Sequence, residues 1–329
     1  MDYEQFKEQI RTAMIDRHPG SDVRSESIRK ENGLVLDALI MQTDPTRSVT
    51  PTLYIRNYYE EYQQGLSFEA CLERMEQDYN RHSPLDLSPE LIIGFQKDFM
   101  RARPQIIYRL VSLDKNSELL DDVPHRIFHD LAVVYYLMMF IDEKTERVVM
   151  TIDPAEGTSH YSGASIMIHN ENMKSWNVTE DDLFRAACEN TPALLPSSFE
   201  NIHDIINEMY RDLKVPVPDN EEFIPGSSGD GTWPMWVLSN IIRLYGASAM
   251  LYEDELNRIS NRIGSPDFYI LPSSIHELII IPNDGNLKLD VSDLKSMVRT
   301  INKEEVSVRE QLSDNIYYYN NRKKELCQL

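Results

Sequence analysis

Eleven consecutive hydrophobic residues, Leu131–Ile141, stand between Asp130 and Asp142. The run is about half the roughly 20 residues that a membrane-crossing helix needs. It is also too uniformly apolar for a helix with a wet face, or for a strand with one side in water. The pattern predicts a strand in the middle of a sheet, covered on both faces. A chain carrying such a strand must supply a layer above it and a layer below it.

The flanking sequence supplies candidates for those layers. Phe6, Ile10, Ala13 and Met14 recur at helical spacing until His18-Pro19-Gly20 stops them. Val23–Lys30 and Leu34–Gln42 then flank Glu31-Asn32-Gly33, where Asn-Gly tolerates the positive φ angles of a tight turn, so a β-hairpin is predicted. Helical spacing returns over Thr52–Gln64, Ser67–Asn80 and Pro89–Met100, read as three helices packed on that hairpin. Ile106–Leu113 reads as a strand, and Asp130–Asp142 with Arg147–Ile152 as a hairpin around Glu143-Lys144-Thr145. Ala164–Ile168 is a further strand, Thr179 and Asp182 open a helix through Glu189 with a capping box, and Ile202–Leu213 forms another.

Between Val215 and Trp233 the chain collects Pro216, Pro218, Pro225, Gly226, Gly229 and Gly231 among acidic residues, which excludes regular structure. Beyond it come strands at Trp236–Ser239, Asp267–Leu271 and Glu277–Ile281 and helices at Asp254–Ile263 and Val291–Asn302. The expectation is an α+β protein of two lobes, each a small, mainly antiparallel sheet packed with helices. The lobes are 1–213 and 234–329, with 214–233 as linker or long loop.

Charge narrows the function. There are 33 basic and 54 acidic residues, a formal net charge of -21, and both halves share the excess: 18 basic against 28 acidic in residues 1–164, and 15 against 26 in 165–329. A chain without a basic stripe repels phosphate, so no nucleic-acid partner is expected. Met1 is followed by Asp2, Tyr3 and Glu4 rather than by a basic start and an apolar stretch, so neither export nor a membrane partner is expected and the location is read as cytoplasmic. Cys71, Cys188 and Cys327 have no paired spacing, consistent with a reducing compartment and no disulfide framework.

Six segments stand in this order along the chain: Lys30-Glu31-Asn32-Gly33, Asp130-Leu131-Ala132-Val133, Leu238-Ser239-Asn240, Tyr245-Gly246-Ala247, Leu271-Pro272-Ser273-Ser274-Ile275-His276-Glu277 and Leu312-Ser313-Asp314. In that order the chain resembles, over nearly its whole length, a family of uncharacterised bacterial proteins found chiefly in gut anaerobes and their mobile elements. The resemblance implies a bacterial cytosolic protein and brings no catalytic residues with it.

Two constellations could carry chemistry. Ser273, Ser274, His276 and Glu277 place hydroxyl, imidazole and carboxylate within five residues, the groups of nucleophilic hydrolysis. In a strand, however, His276 and Glu277 would face opposite ways, and a turn after Pro272 in which serine hydroxyls hold backbone groups accounts for the same residues. His125 and His129, four apart, would share a helix face as metal ligands do. Arg126 stands where a zinc protease has its glutamate, so the pair is a metal candidate that lacks both that acid and a third ligand. Ser248 in Gly246-Ala247-Ser248-Ala249-Met250 lacks the second glycine of a nucleophile elbow.

The leading expectation is a non-enzymatic cytosolic protein that binds or regulates another protein, in the mobile-element setting the resemblance implies, with no cofactor and no metal. One alternative is a hydrolase using His276 with Ser274 or Glu277. The other is an acidic nucleic-acid mimic that occupies a basic protein.

Overall fold

A computed structural model describes residues 1–29, 31–43, 52–82, 89–142, 147–149, 161–212, 234–283 and 290–329. Asp2 caps the first helix, α1 (Tyr3–Arg17): its carboxylate accepts from Gln5 N–H at 2.9 Å while Gln5 accepts from Asp2 N–H. One face of α1, with Phe6, Ile10 and Met14, is fully buried. Strands β1 (Asp22–Arg29) and β2 (Val35–Gln42) pair antiparallel from Arg29↔Val35 outward. Asn32 (φ 59°) and Gly33 (φ 67°) between them are both left-handed, as an Asn-Gly turn allows.

The helix expected from Thr52 is shorter than its apolar spacing suggests. Thr52–Tyr54 is a strand, β3, because Ala38–Ile40 of β2 offers its free edge there, and the helix α2 begins at Ile55 and ends at Gln63. Helix α3 (Phe68–His82) follows, with Ser67 Oγ accepting from Ala70 N–H. Phe6, Ile10, Met14, Leu39, Met41, Ile55, Leu72 and Met75 close a core drawn wholly from residues 1–82.

The third expected helix leaves that module. Helix α4 (Pro89–Lys97) sends Phe95 into a different core and stops at Asp98, whose extended backbone and side chain cap the short α5 (Phe99–Ala102). Next come β4 (Ile106–Ser112), α6 (Ser117–Leu120), β5 (His125–Phe128), β6 (Leu131–Asp142), β7 (Arg147–Val149) and β8 (Tyr161–Met167). Strand β6 is the hub, pairing antiparallel with β4 and β5 along its first half and with β7 and β8 along its second. Residues 131–140 are all buried. Leu131, Val133, Tyr135, Leu137 and Met139 enter one apolar cluster, whereas Ala132, Val134, Tyr136, Met138 and Phe140 enter another, so both faces are covered as the run predicted.

Helix α7 (Asn170–Trp176) precedes α8 (Glu180–Leu194), which opens on the Thr179–Asp182 capping box and runs past the expected Glu189. The chain continues through β9 (Ser197–Asn201), α9 (Ile202–Asp212), β10 (Trp236–Asn240), a 3-10 helix Gly246–Leu251, α10 (Glu255–Ile263), β11 (Asp267–Pro272), β12 (Leu278–Pro282), α11 (Val291–Glu304), β13 (Tyr317–Asn320) and β14 (Glu325–Gln328). The last six strands form an antiparallel sheet in the order β14-β13-β11-β12-β10-β9. One face of it, with Leu238, Ile270, Leu278, Ile280 and Tyr317, shares the cluster of Tyr108, Leu110, Val133 and Tyr135. Ile202 and Ile206 of α9 with Leu294 and Val298 of α11 cover the other face. The protein is thus of the α+β class, with small antiparallel sheets packed against helices. The segment 214–233, the turn 143–145 and most of the turn after Asn283 lie outside the described residues. Among the described residues no helix is long and apolar enough to cross a membrane.

Candidate functional site

Residues Ser273–Glu277 form the turn between β11 and β12, closed by Ser274 N–H donating to Glu277 O at 3.2 Å. Within it Ser274 Oγ accepts from His276 N–H at 3.0 Å, and Ser273 Oγ donates to the Glu277 carboxylate at 3.4 Å. The imidazole is engaged from outside the turn: Nδ1 accepts from Tyr245 N–H at 3.1 Å, a bond that assigns the proton to Nε2. That Nε2 stands 3.8 Å from the Glu310 carboxylate. Burial lowers the His276 pKa, the nearby Glu310 and Glu277 carboxylates pull it back up, Arg109 and Arg309 lower it further, and the net direction is down. A neutral imidazole results. The turn therefore brings Ser274, His276 and Glu277 together without aligning hydroxyl, ring and carboxylate as a proton relay.

The strand next door explains why the ring is held. Ser239 donates its hydroxyl to His276 O at 2.8 Å, and Gly246 is wedged where a Cβ would press on Ser239 Oγ and come within 2.6 Å of His276 O and 2.7 Å of Asn240 N. Only glycine fits that approach. The Asn240 side chain ties the connecting loop, accepting from Ile242 and Leu244 N–H and donating to Leu244 O. Arg243 (φ 51°) and Tyr245 (φ 56°) take left-handed backbone in that loop. The outcome is a Tyr245 ring 5.3 Å from the His276 ring, with the Arg109 guanidinium on it at 3.5 Å. Ser248 is likewise structural, its Oγ accepting from Leu110 N–H on the outer edge of β4, as Thr191 Oγ1 does from Tyr108 N–H.

The two histidines read as a helical pair are not on a helix. His125 lies in β5 with Nδ1 3.0 Å from Val123 O, while His129 sits at φ 56° in the turn to β6 and packs on Phe128 and Tyr317. A spacing of four shares a face only in a helix, and pairing with β6 decided for a strand. Among the described residues no group of three or more histidine, cysteine or acidic side chains is placed to hold a metal ion.

A second site was not signalled by the sequence. A pocket of 290 Å³ opens between α4, the end of β8 and α7, with Phe95, Leu137, Ile166, Ile168 and Trp176 as its apolar wall. Trp176 Nε1–H donates to Phe95 O and fixes that wall. His169 and Glu171 stand at its rim, and His169 Nδ1 meets the Asp122 carboxylate at 2.7 Å. Asp122 and His169 lie 47 residues apart, and only the docking of α7 against the turn after α6 unites them.

The model of the family of unknown function DUF5688 matches residues 3–321. The chain belongs to that family. No curated protein and no solved structure matches it. In this DUF5688 chain residues from the six segments take part in three junctions. Asn32 Nδ2 donates to Val308 O at 2.7 Å and Gln311 O at 2.8 Å, and Asn32 N–H donates to Asn116 Oδ1. The Asp130 carboxylate accepts from Ser313 and Tyr317 hydroxyls at 2.5 Å and from Asn315 Nδ2 at 3.0 Å. Ser239, Gly246 and His276 form the third junction.

Proposed function

We propose that this DUF5688 chain works by binding another protein rather than by catalysis. The observation that carries the reading is the use of Ser274 Oγ, His276 Nδ1 and Ser239 Oγ on backbone groups, which leaves that constellation holding a loop. The pocket at α7 supplies a contact of the right kind. Its volume suits one or two side chains, and Glu171 in its lining, with Asp122 next to the lining residue His169, favours a partner whose apolar anchor sits beside basic residues. The test is affinity capture from the native host with wild type and Ile166→Lys in parallel. The reading expects a partner retained by wild type and lost by the variant.

A second reading, a hydrolase, is favoured by one observation: Asp122 orients the His169 ring at the pocket rim, as a carboxylate orients a general base. In that case His169 takes the role that the sequence offered to His276. Turnover of an ester, phosphate or peptide substrate, abolished by His169→Ala in a variant that melts normally, would put this reading first.

A further inference from the structure

We infer that Arg109 anchors a binding site for a small oxyanion, a carboxylate or a phosphate group. Arg109 is in the middle of β4 on the face shared with Ile107 and Val111, and it is 3% exposed. Its guanidinium carbon is 4.0 Å from the centre of the Tyr136 ring and 3.5 Å from that of Tyr245. Two aromatic rings thus lie against the group, and neither offers its N–H donors an acceptor in the way a carboxylate would. Nε is sealed from solvent and has no acceptor, and among the described residues no carboxylate lies at ion-pair distance from this arginine.

A guanidinium withdrawn from water loses more hydration than two ring contacts return. In-plane donors on a buried cation are the geometry that binds an oxyanion through paired N–H bonds. The surroundings are built around this group. Asn240 fastens the loop that lays Tyr245 over Arg109, and His276 holds the Tyr245 N–H from the other side. Glu277 and Glu310 stand beyond His276 and would repel a large polyanion, which limits the ligand to a small one.

The test starts from protein in chloride buffer, to which sodium phosphate or sodium acetate is added at constant ionic strength. One anion should raise the wild-type melting temperature by about 5 °C at a hundredfold excess over its Kd and shift the His276 imidazole NMR signals. Whichever saturates at lower concentration identifies phosphate or carboxylate as the preferred group. Arg109→Met, with no charge left to bury, should melt no lower than wild type in chloride and should not respond. Arg109→Lys, which keeps the charge and loses the fork, should bind at least tenfold more weakly. Silence of the wild type to both anions overturns the site, as does an equal response from Arg109→Met or equal binding by Arg109→Lys.

Discussion

Replacing Asp130 by asparagine removes one charge and one acceptor oxygen while keeping the side chain's shape. The carboxylate of Asp130 sits one residue before β6 and binds Ser313, Asn315 and Tyr317, the last at the start of β13, so it fastens the hub strand of one sheet to the neighbouring sheet. A hydrogen bond to a charged acceptor contributes about 1.5–3 kcal/mol. The three share one group and do not add, and asparagine retains one oxygen, so the expected cost is about 2–4 kcal/mol. Tyr317 is fully buried, and part of the cost is its hydroxyl losing a charged partner. Burial raises the Asp130 pKa, but the bonds from Ser313, Tyr317 and Asn315 lower it by more, and it lies below the ordinary carboxylate value. A pKa depressed in the folded state gives stability that is complete above the unfolded value, about 4, and is lost as pH falls through the folded one. Urea unfolding of wild type and Asp130→Asn should therefore show the full gap at pH 7 and a shrinking gap from about pH 4 downward. A variant within about 0.5 kcal/mol of wild type at pH 7, or a gap that does not change with pH, would refute this account.

Gly246→Ala forces a Cβ against two backbone atoms, His276 O and Asn240 N, and should cost about 3 kcal/mol or more; an unchanged melting temperature would contradict the close approach. His276→Ala leaves Tyr245 N–H without its acceptor and should cost about 1–3 kcal/mol. Because burial depresses the His276 pKa, the wild type should lose stability as pH falls below about 6.5, and the alanine variant should lack that slope in a melting series. With 54 acidic and 33 basic residues the protein should give no mobility shift with duplex DNA or RNA at physiological salt, and a salt-sensitive shift at micromolar protein would count against the charge argument.

The sequence by itself determined the elements whose signals are local. Eleven hydrophobic residues in a row require cover on both faces wherever they lie, and β6 has it; Asn32-Gly33 admits left-handed backbone and makes the first hairpin; Thr179 with Asp182 starts α8. The turn at Ser273–Glu277 was also legible, since proline and serine act on their own neighbours. Tertiary structure decided the rest, because those choices depend on partners distant in the chain. Thr52–Tyr54 became a strand because β2 had an open edge, His125 left a helical pattern because β6 offered pairing, and Phe95 took α4 away from the hairpin. The acceptor role of His276 rests on Tyr245, 31 residues earlier, the Asp122–His169 contact spans 47, and Asp130 reaches Ser313 across 183. Periodicity reports which face of a segment avoids water and carries no information on what meets it, so the two tyrosine rings that flank Arg109 could be found only in the folded chain.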